Sequence, residues 1–369
     1  MATQVTNYQC PACTAPLQYS AETGKLVCEF CESSFEISEI EALYADKESQ
    51  AADNFEEMPE PETEWDCSGL TEDWGVDAEG MRSYNCPTCG AELICEQTTA
   101  ATACPYCGNP TVIPGQFSGA LRPDYVIPFR LDKSKAIAAL KQHYKGKIFL
   151  PKTFLETHTI EKIQGVYVPF WLYDAEAHGA FRFDATHVHI RREGSYEVTE
   201  TNHFDVRRSG TLSFEKVPVD ASSKMPDDYM DAIEPFDYTE MKEFSTAYLP
   251  GYLADKYDVS VEQSNQRADK RCLQSLEDSL TDSVMGYSSC RVRSKQTSLK
   301  RGKVHYALLP VWVLNVNWNG GNYLFAVNGQ TGRTVGKLPG SKGKAMAFFA
   351  GLAFPLSMLG ILLANLIVG

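Results

Sequence analysis

Eight of the twelve cysteines in this 369-residue chain stand in C-x2-C pairs. They form two modules of one spacing, C-x2-C-x14-C-x2-C: Cys10, Cys13, Cys28 and Cys31, then Cys86, Cys89, Cys104 and Cys107. Four thiolates so spaced converge tetrahedrally on one Zn2+, because each pair presents two sulfurs from a tight turn and the stretch between folds back as a hairpin. A four-sulfur set leaves no open position for water or substrate, so the spacing predicts two structural zinc ions, each supplying folding energy to a module too small to fold alone. A single C-x-x-C would read equally well as a redox pair, but four matched pairs without a βαβ context do not.

A second group of residues with chemical potential is rich in histidine. His178, His187, His189 and His203 fall in one strand-forming region with Asp174, Glu176, Asp184 and Asp205. His187 and His189 are two apart and share one face of a strand. With Asp184 they could hold a metal or act as acid and base. The competing expectation is a solvated strand face beside Arg191 and Arg192. No HExxH or G-x-S-x-G motif occurs. Cys272 and Cys290 have no neighbouring histidine, so a buried, unreactive role is expected of them.

The elements that must position these residues are legible in part. In "LQYSAETGKLVCEFC" a hairpin is expected to turn near Thr23-Gly24, with Leu17, Tyr19, Leu26 and Phe30 packing. "ISEIEALYADKESQ" reads as a short helix with Ile37, Ile40 and Leu43 on one side. "DYVIPFRL" reads as a strand. The helix after it has Asp132 as N-cap, Gly146 as stop, and Ala136, Leu140 and Tyr144 on one face. Alternating strands follow through "GVYVPFWLYDAEAHGAFRFDATHVHI" and "SYEVTETNHFDVRRSGTLSFEKVPV". A helix spans roughly Val261–Val284, and strands return at "KVHYALLPVWVLNVNWNGGNYLFAVNGQTG", where Asn328–Gly332 closes a hairpin. "YVPFWLYDAEAHG" and "LLPVWVLNV" look like a repeat that pairs Pro169 with Pro310 and Trp171 with Trp312. Proline in such strands predicts an edge or a bulge.

The fold class expected is α+β: two small N-terminal zinc ribbons, an antiparallel-sheet-rich α+β body, and a C-terminal transmembrane helix. The ranges are 7–35 and 84–110 for the ribbons, 36–80 for an acidic linker, 120–340 for the body and 345–368 for the membrane helix. Charge divides the chain along these lines. Residues 1–118 carry 21 acids and 3 bases, against 27 acids and 31 bases in the remainder. The linker alone holds 16 acids and one base, Lys47, together with Trp65 and Trp74. These two tryptophans are expected to dock on the second ribbon, on the basic remainder of the chain or on a partner. A nucleic-acid module normally has a basic footprint, and the ribbons have the opposite sign.

Residues 345–368 contain no charged side chain, a length sufficient for about 30 Å of hydrocarbon. Arg333, Lys337, Lys342 and Lys344 precede it without an intervening acid, which is a positive-inside pattern and an attraction for anionic lipid. No apolar leader precedes Cys10. The expected location is therefore the cell membrane, single-pass, with the large N-terminal part cytoplasmic.

The double ribbon, "YVPFWLYDAEAHG", "LLPVWVLNV" and "FAVNGQTGRTVGKLP" together resemble the bacterial TFIIB-type zinc-ribbon membrane protein family, some of whose members are called helicase-like. The resemblance extends over nearly the whole chain and implies architecture rather than a reaction. Helicase action has no visible engine here, since no G-x-x-x-x-G-K-[ST] occurs. The function expected is a membrane-anchored cytoplasmic zinc-ribbon adaptor or scaffold with a protein partner. One alternative is a membrane-tethered nucleic-acid-binding or transcription-related protein that uses the basic stretch Arg291 to Lys303. The other is an enzyme with its site in the His178–His203 region.

Overall fold

The computed structural model describes residues 8, 10–12, 17–20, 23–29, 31–45, 64–96, 99, 103–109, 113–115, 121–151, 154 and 160–368. The chain divides into two compact units. One comprises Met1–Asp66, Tyr173–Val217 and Asn265–Lys303; the other comprises Cys67–Leu172, Pro218–Ser264 and Val304–Gly369.

The first unit begins with the expected hairpin, β1 (Leu17–Ser20) against β2 (Lys25–Cys28), in the register Leu17↔Cys28 and Ser20↔Lys25. Gly24 occupies the turn at φ +68, a conformation that glycine adopts without a Cβ clash. β3 (Ser34–Phe35) pairs with β2 to complete a three-stranded sheet. Leu26 is buried as expected, but Tyr19 is exposed, and Phe30 lies outside the described residues. Helix α1 follows over residues 37–45 and buries Ile40 alone of the three expected residues; Ile37 and Leu43 are exposed.

Three long strands cross both units. β8 is Gln164–Glu193, β9 is Tyr196–Asp220 and β12 is Ser289–Trp318. In the first unit, β8 buries Tyr173, Ala175, Ala177, Gly179, Phe181, Phe183 and Ala185 on one face. That face is rich in small residues, which lets a helix lie close. The helix between Val261 and Asp282 buries Ala268, Cys272, Leu276 and Leu280. At Gly179 an added Cβ would lie 2.8 Å from the Leu276 methyl. Cys272 has the buried role expected of it, and burial pushes its thiol up to about 11. Trp65 is buried edge-on to Tyr173 at 4.7 Å between ring centroids.

The second unit is built on one mixed sheet. Its elements in chain order are β4 (Met81–Asn85), β5 (Glu92–Glu96), β6 (Ile113–Gly115), β7 (Tyr125–Val126), α2 (Lys133–Tyr144), α3 (Asp227–Ile233), β10 (Lys242–Glu243) and β11 (Leu253–Asp255). The helix Val261–Asp282 already described is α4, and β13 (Gly321–Asn328), β14 (Thr334–Gly336) and α5 (Lys342–Val368) end the series. The strand order is β10-β7-β12-β8-β11-β5-β4-β6, with β13 beside β12 and β14 beside β13. Of the stretch expected as a strand, Tyr125–Val126 is one, and the N–H groups of Asp124 and Ile127 on either side donate to the Tyr306 and Leu308 carbonyls of β12. α2 matches its sequence pattern: the Asp132 carboxylate accepts from Lys135 N–H at 2.9 Å, and Ala136, Leu140 and Tyr144 are buried. The Asn328–Gly332 turn joins β13 to β14 as expected, with Val327 opposite Thr334. Trp74 is buried against Phe244, so both linker tryptophans dock within their own chain.

β8 and β12 are interior strands, so of the edge or bulge expected for their prolines the edge is excluded. Proline removes one N–H from a ladder but keeps its carbonyl. Here the Pro169 carbonyl accepts from Ala221 N–H at 2.9 Å, and the Pro310 carbonyl accepts from Gly329 N–H at 2.8 Å. Two residues on, Trp171 Nε1 donates to the Val259 carbonyl at 2.9 Å, and Trp312 Nε1 donates to the Leu131 carbonyl at 3.0 Å. Parallel partners flank each: β11 pairs with β8 from Leu253↔Val166, and β7 pairs with β12 from Ala307↔Tyr125. Each partner strand leads into a helix, α4 or α2. One arrangement of short strand, helix start, proline and tryptophan thus occurs twice.

The expected transmembrane helix over 345–368 is overturned. Among the described residues no helix is long and apolar enough to cross a membrane. α5 begins with Lys342 and Lys344 and holds Pro355. The single-pass membrane location falls with the expected span.

Gly329 supplies a test of the packing. A Cβ there would lie 2.9 Å from the Pro310 carbonyl oxygen and 2.8 Å from the Phe129 ring. Gly329→Ala is expected to cost about 1–3 kcal/mol, as overpacking does. Gly340→Ala, with nothing within 4 Å, is expected to stay within about 0.5 kcal/mol. Urea unfolding followed by tryptophan fluorescence distinguishes the two.

Candidate metal centre

Cys86 follows directly on β4 and begins the turn Cys86-Pro87-Thr88-Cys89-Gly90. The turn is closed by two backbone bonds, Gly90 N–H to Cys86 carbonyl and Cys86 N–H to Ala91 carbonyl, each 2.9 Å. Gly90 has φ +69. Cys104-Pro105-Tyr106-Cys107-Gly108 repeats the geometry, with Gly108 N–H on Cys104, Cys104 N–H on Asn109, and φ +73 at Gly108. Glycine is the residue such turns favour, because a Cβ at positive φ meets the following carbonyl. In the first module the corresponding turn has Glu32 at φ +58, with Glu32 N–H on Cys28 and Cys28 N–H on Ser33. A side chain at that φ costs about 1 kcal/mol.

The turns bring the sulfurs together. Cys86 and Cys107 lie 3.6 Å apart, as do Cys89 and Cys104, and all four sulfurs fall within 4.8 Å of one another. Cys10, Cys28 and Cys31 form a like group, with Cys10 and Cys31 sulfurs 3.5 Å apart; Cys13 lies outside the described residues. Four sulfurs on a tetrahedral zinc at about 2.3 Å stand about 3.8 Å from one another, so the second cluster matches the donor set in kind and in spacing, and the three described sulfurs of the first fall in the same range. These clusters can chelate a metal ion. At Cys86, burial opposes ionisation. The N–H groups of Cys89 and Thr88, with the thiols of Cys107 and Cys89, outweigh it and bring Cys86 down to about 7. Burial pushes Cys104 upward.

The second cluster is set in the core of its unit. Cys86, Cys104 and Tyr106 are buried with Leu93, Val166, Val168, Phe170, Leu309 and Val311, and Cys89 and Cys107 pack against this group. β5, between the two cysteine turns, pairs antiparallel with β11 through Ala254↔Ile94 and Asp255↔Leu93. Tyr106 lies inside the second turn. Its hydroxyl donates to Asp255 Oδ2 at 2.8 Å, and Ser222 Oγ donates to the same oxygen at 2.5 Å. Asn315 Nδ2 donates to the Tyr106 carbonyl. Asp255 is buried, and burial pushes its carboxyl up to about 7 against the bonds from Ser222 and Tyr106 that lower it. Tyr106, Ser222, Asp255 and Asn315 escape sequence reasoning. Only the aromatic at the centre of a C-P-Y-C turn signals them.

The histidine region does not assemble. Apart from the two cysteine clusters, no group of three or more His, Cys, Asp or Glu is gathered among the described residues. His187 and His189 share a strand face as expected and are both exposed. His178 points to the opposite face, buried, with its ring Nδ1 2.8 Å from Thr211 Oγ1. Asp184 faces Arg293 at 3.5 Å. His187, His189 and Asp184 thus form no three-ligand metal set among the described residues.

Comparison with known proteins places two matches beside this geometry. Residues 9–39 match the family described as Trm112p-like protein. Over 336 residues the chain is 36% identical to Uncharacterized protein YdjG of Bacillus subtilis (strain 168), an alignment that covers 78% of this chain and 98% of YdjG. No solved structure matches. The resemblance to the TFIIB-type membrane family is corrected accordingly. C-x2-C spacing is common to many small metal modules, and the first one here is similar to a different family. The membrane-anchored adaptor and the membrane-tethered nucleic-acid binder are corrected as well, since both depended on the spanning helix.

Cys86→Ser is expected to lower the metal bound per chain, whereas His187→Ala with His189→Ala leaves it unchanged. Elemental analysis of the purified chains reads both.

Proposed function

We propose that this chain, which belongs to the same family as the Bacillus subtilis protein YdjG, is a zinc protein whose two ions are structural. Cys86, Cys89, Cys104 and Cys107 would hold one, and Cys10, Cys13, Cys28 and Cys31 the other. Thiolate donors in a tetrahedral set favour zinc among the common divalent metals. With four protein sulfurs the coordination is closed, so the ion supplies cross-linking rather than Lewis-acid chemistry at a substrate. Structural zinc contributes roughly 10–16 kcal/mol of apparent binding energy, which is folding energy for the segment that carries the ligands.

The observation that carries this reading is the convergence of four sulfurs within 4.8 Å at the margin of a large apolar core. The work assigned to the second ion is to hold β4, β5 and the Cys104 turn against β11, and so to complete the sheet. The first ion performs the same task for the β1–β2–β3 module.

Native mass spectrometry of the intact chain is expected to show two zinc ions. Zinc K-edge absorption is expected to show four sulfur neighbours at about 2.3 Å. Oxygen or nitrogen neighbours in the first shell, or a chain that folds fully with no metal, would overturn the reading.

A further inference from the structure

We infer that the two metal centres are unequal by construction. The first exchanges its ion readily. The second retains its ion because Tyr106 and Asp255, as positioning residues, lock the turn that carries Cys104 and Cys107. This inference rests on the zinc reading above and adds to it a difference in behaviour between the two sites.

The asymmetry is visible where the Cys28–Cys31 turn is set beside the turns of the second centre. In the second centre both turns end in glycine at positive φ, Gly90 and Gly108, so the backbone holds its sulfur geometry without strain. In the first, Glu32 takes that position. Ligand exchange at a four-thiolate ion begins with an incoming thiol or chelator that displaces one cysteine sulfur, one donor for another, with no change of oxidation state. An exposed sulfur in a strained turn is the one displaced. Cys31 is exposed and directly precedes Glu32. Cys10 and Cys28 are as buried as Cys86 and Cys104, and the difference lies in the outer ligands: Cys89 and Cys107 of the second centre are half-buried, and neither is as open as Cys31.

The lock is a side-chain device. The turn around Tyr106 cannot swing outward without drawing its hydroxyl off Asp255 and its carbonyl off Asn315. Tyr106 is 5% exposed and Asp255 is 1% exposed, so water does not replace these bonds while the turn stays in place. Removing one hydroxyl leaves a buried carboxylate one donor short, with Ser222 Oγ still donating to the same oxygen. Partners that hold a ligand in place typically carry 10–100-fold in metal affinity.

The test follows zinc release from the full-length, zinc-loaded chain into excess chromogenic chelator. Two phases of one ion each are expected. Cys10→Ser abolishes the fast phase, and Glu32→Gly slows it by relieving the positive-φ turn. Tyr106→Phe accelerates the slow phase about 10–100-fold and leaves the fast phase in place. Asp255→Asn, which keeps an acceptor oxygen for both hydroxyls, remains within a few-fold of the parent chain, whereas Asp255→Ala behaves as Tyr106→Phe does. Should Asp255→Ala fail to fold, Tyr106→Phe and Glu32→Gly carry the test. Two ions leaving in one phase, or a slow phase unmoved by Tyr106→Phe, would overturn the inference and leave the zinc reading standing. A total below two ions per intact chain would instead fail the zinc reading itself.

Discussion

The pairing of β5 with β11 is the contact on which the second unit depends. Through Ala254↔Ile94 and Asp255↔Leu93, strands that belong to a small cysteine module become strands of the main sheet. An isolated module of this size cannot bury enough apolar surface to stand alone. Here it has no need to, because Cys86, Cys104 and Tyr106 share one apolar cluster with β8 and β12. The consequence runs in both directions. The sheet gives the cysteine cluster its burial, and the cysteine module gives the sheet three of its strands.

Around that margin the sheet is organised by a doubled arrangement. Each interior strand carries a proline whose carbonyl is satisfied by a crossing backbone N–H, and a tryptophan whose indole reaches the loop before a helix. An indole N–H buried without a partner would be costly, so each Trp–carbonyl bond fixes where a helix can start. Phe129 stacks on Tyr252 at 4.1 Å and stands edge-on to Trp312, so the two copies meet in one aromatic group.

What the sequence disclosed follows from the range over which its interactions act. The cysteine turns were legible because the two ligands of each pair are neighbours in the chain. α2 was legible because Ala136, Leu140 and Tyr144 recur at helical spacing behind a capping aspartate. The long strands were legible from their alternation. The interior position of Pro169 and Pro310 was not, since it depends on carbonyl partners far away in sequence. Nor was the fusion of the second module to the sheet, which rests on Tyr106 finding Asp255 across 149 residues. Composition misled at 345–368: a run without charge reads as a span, but no helix among the described residues is long and apolar enough to cross a membrane.

The claim that metal and sheet form one cooperative structure is tested most directly by amide hydrogen exchange on the loaded and the chelated chain. The account predicts that chelation strips protection from Glu92–Glu96 and from Leu253–Asp255 together, although Leu253–Asp255 contains no ligand. Helix α2 is expected to keep more of its protection. If β5 opens on chelation while β11 stays fully protected, the second module is an appendage with its own metal, and the account is contradicted.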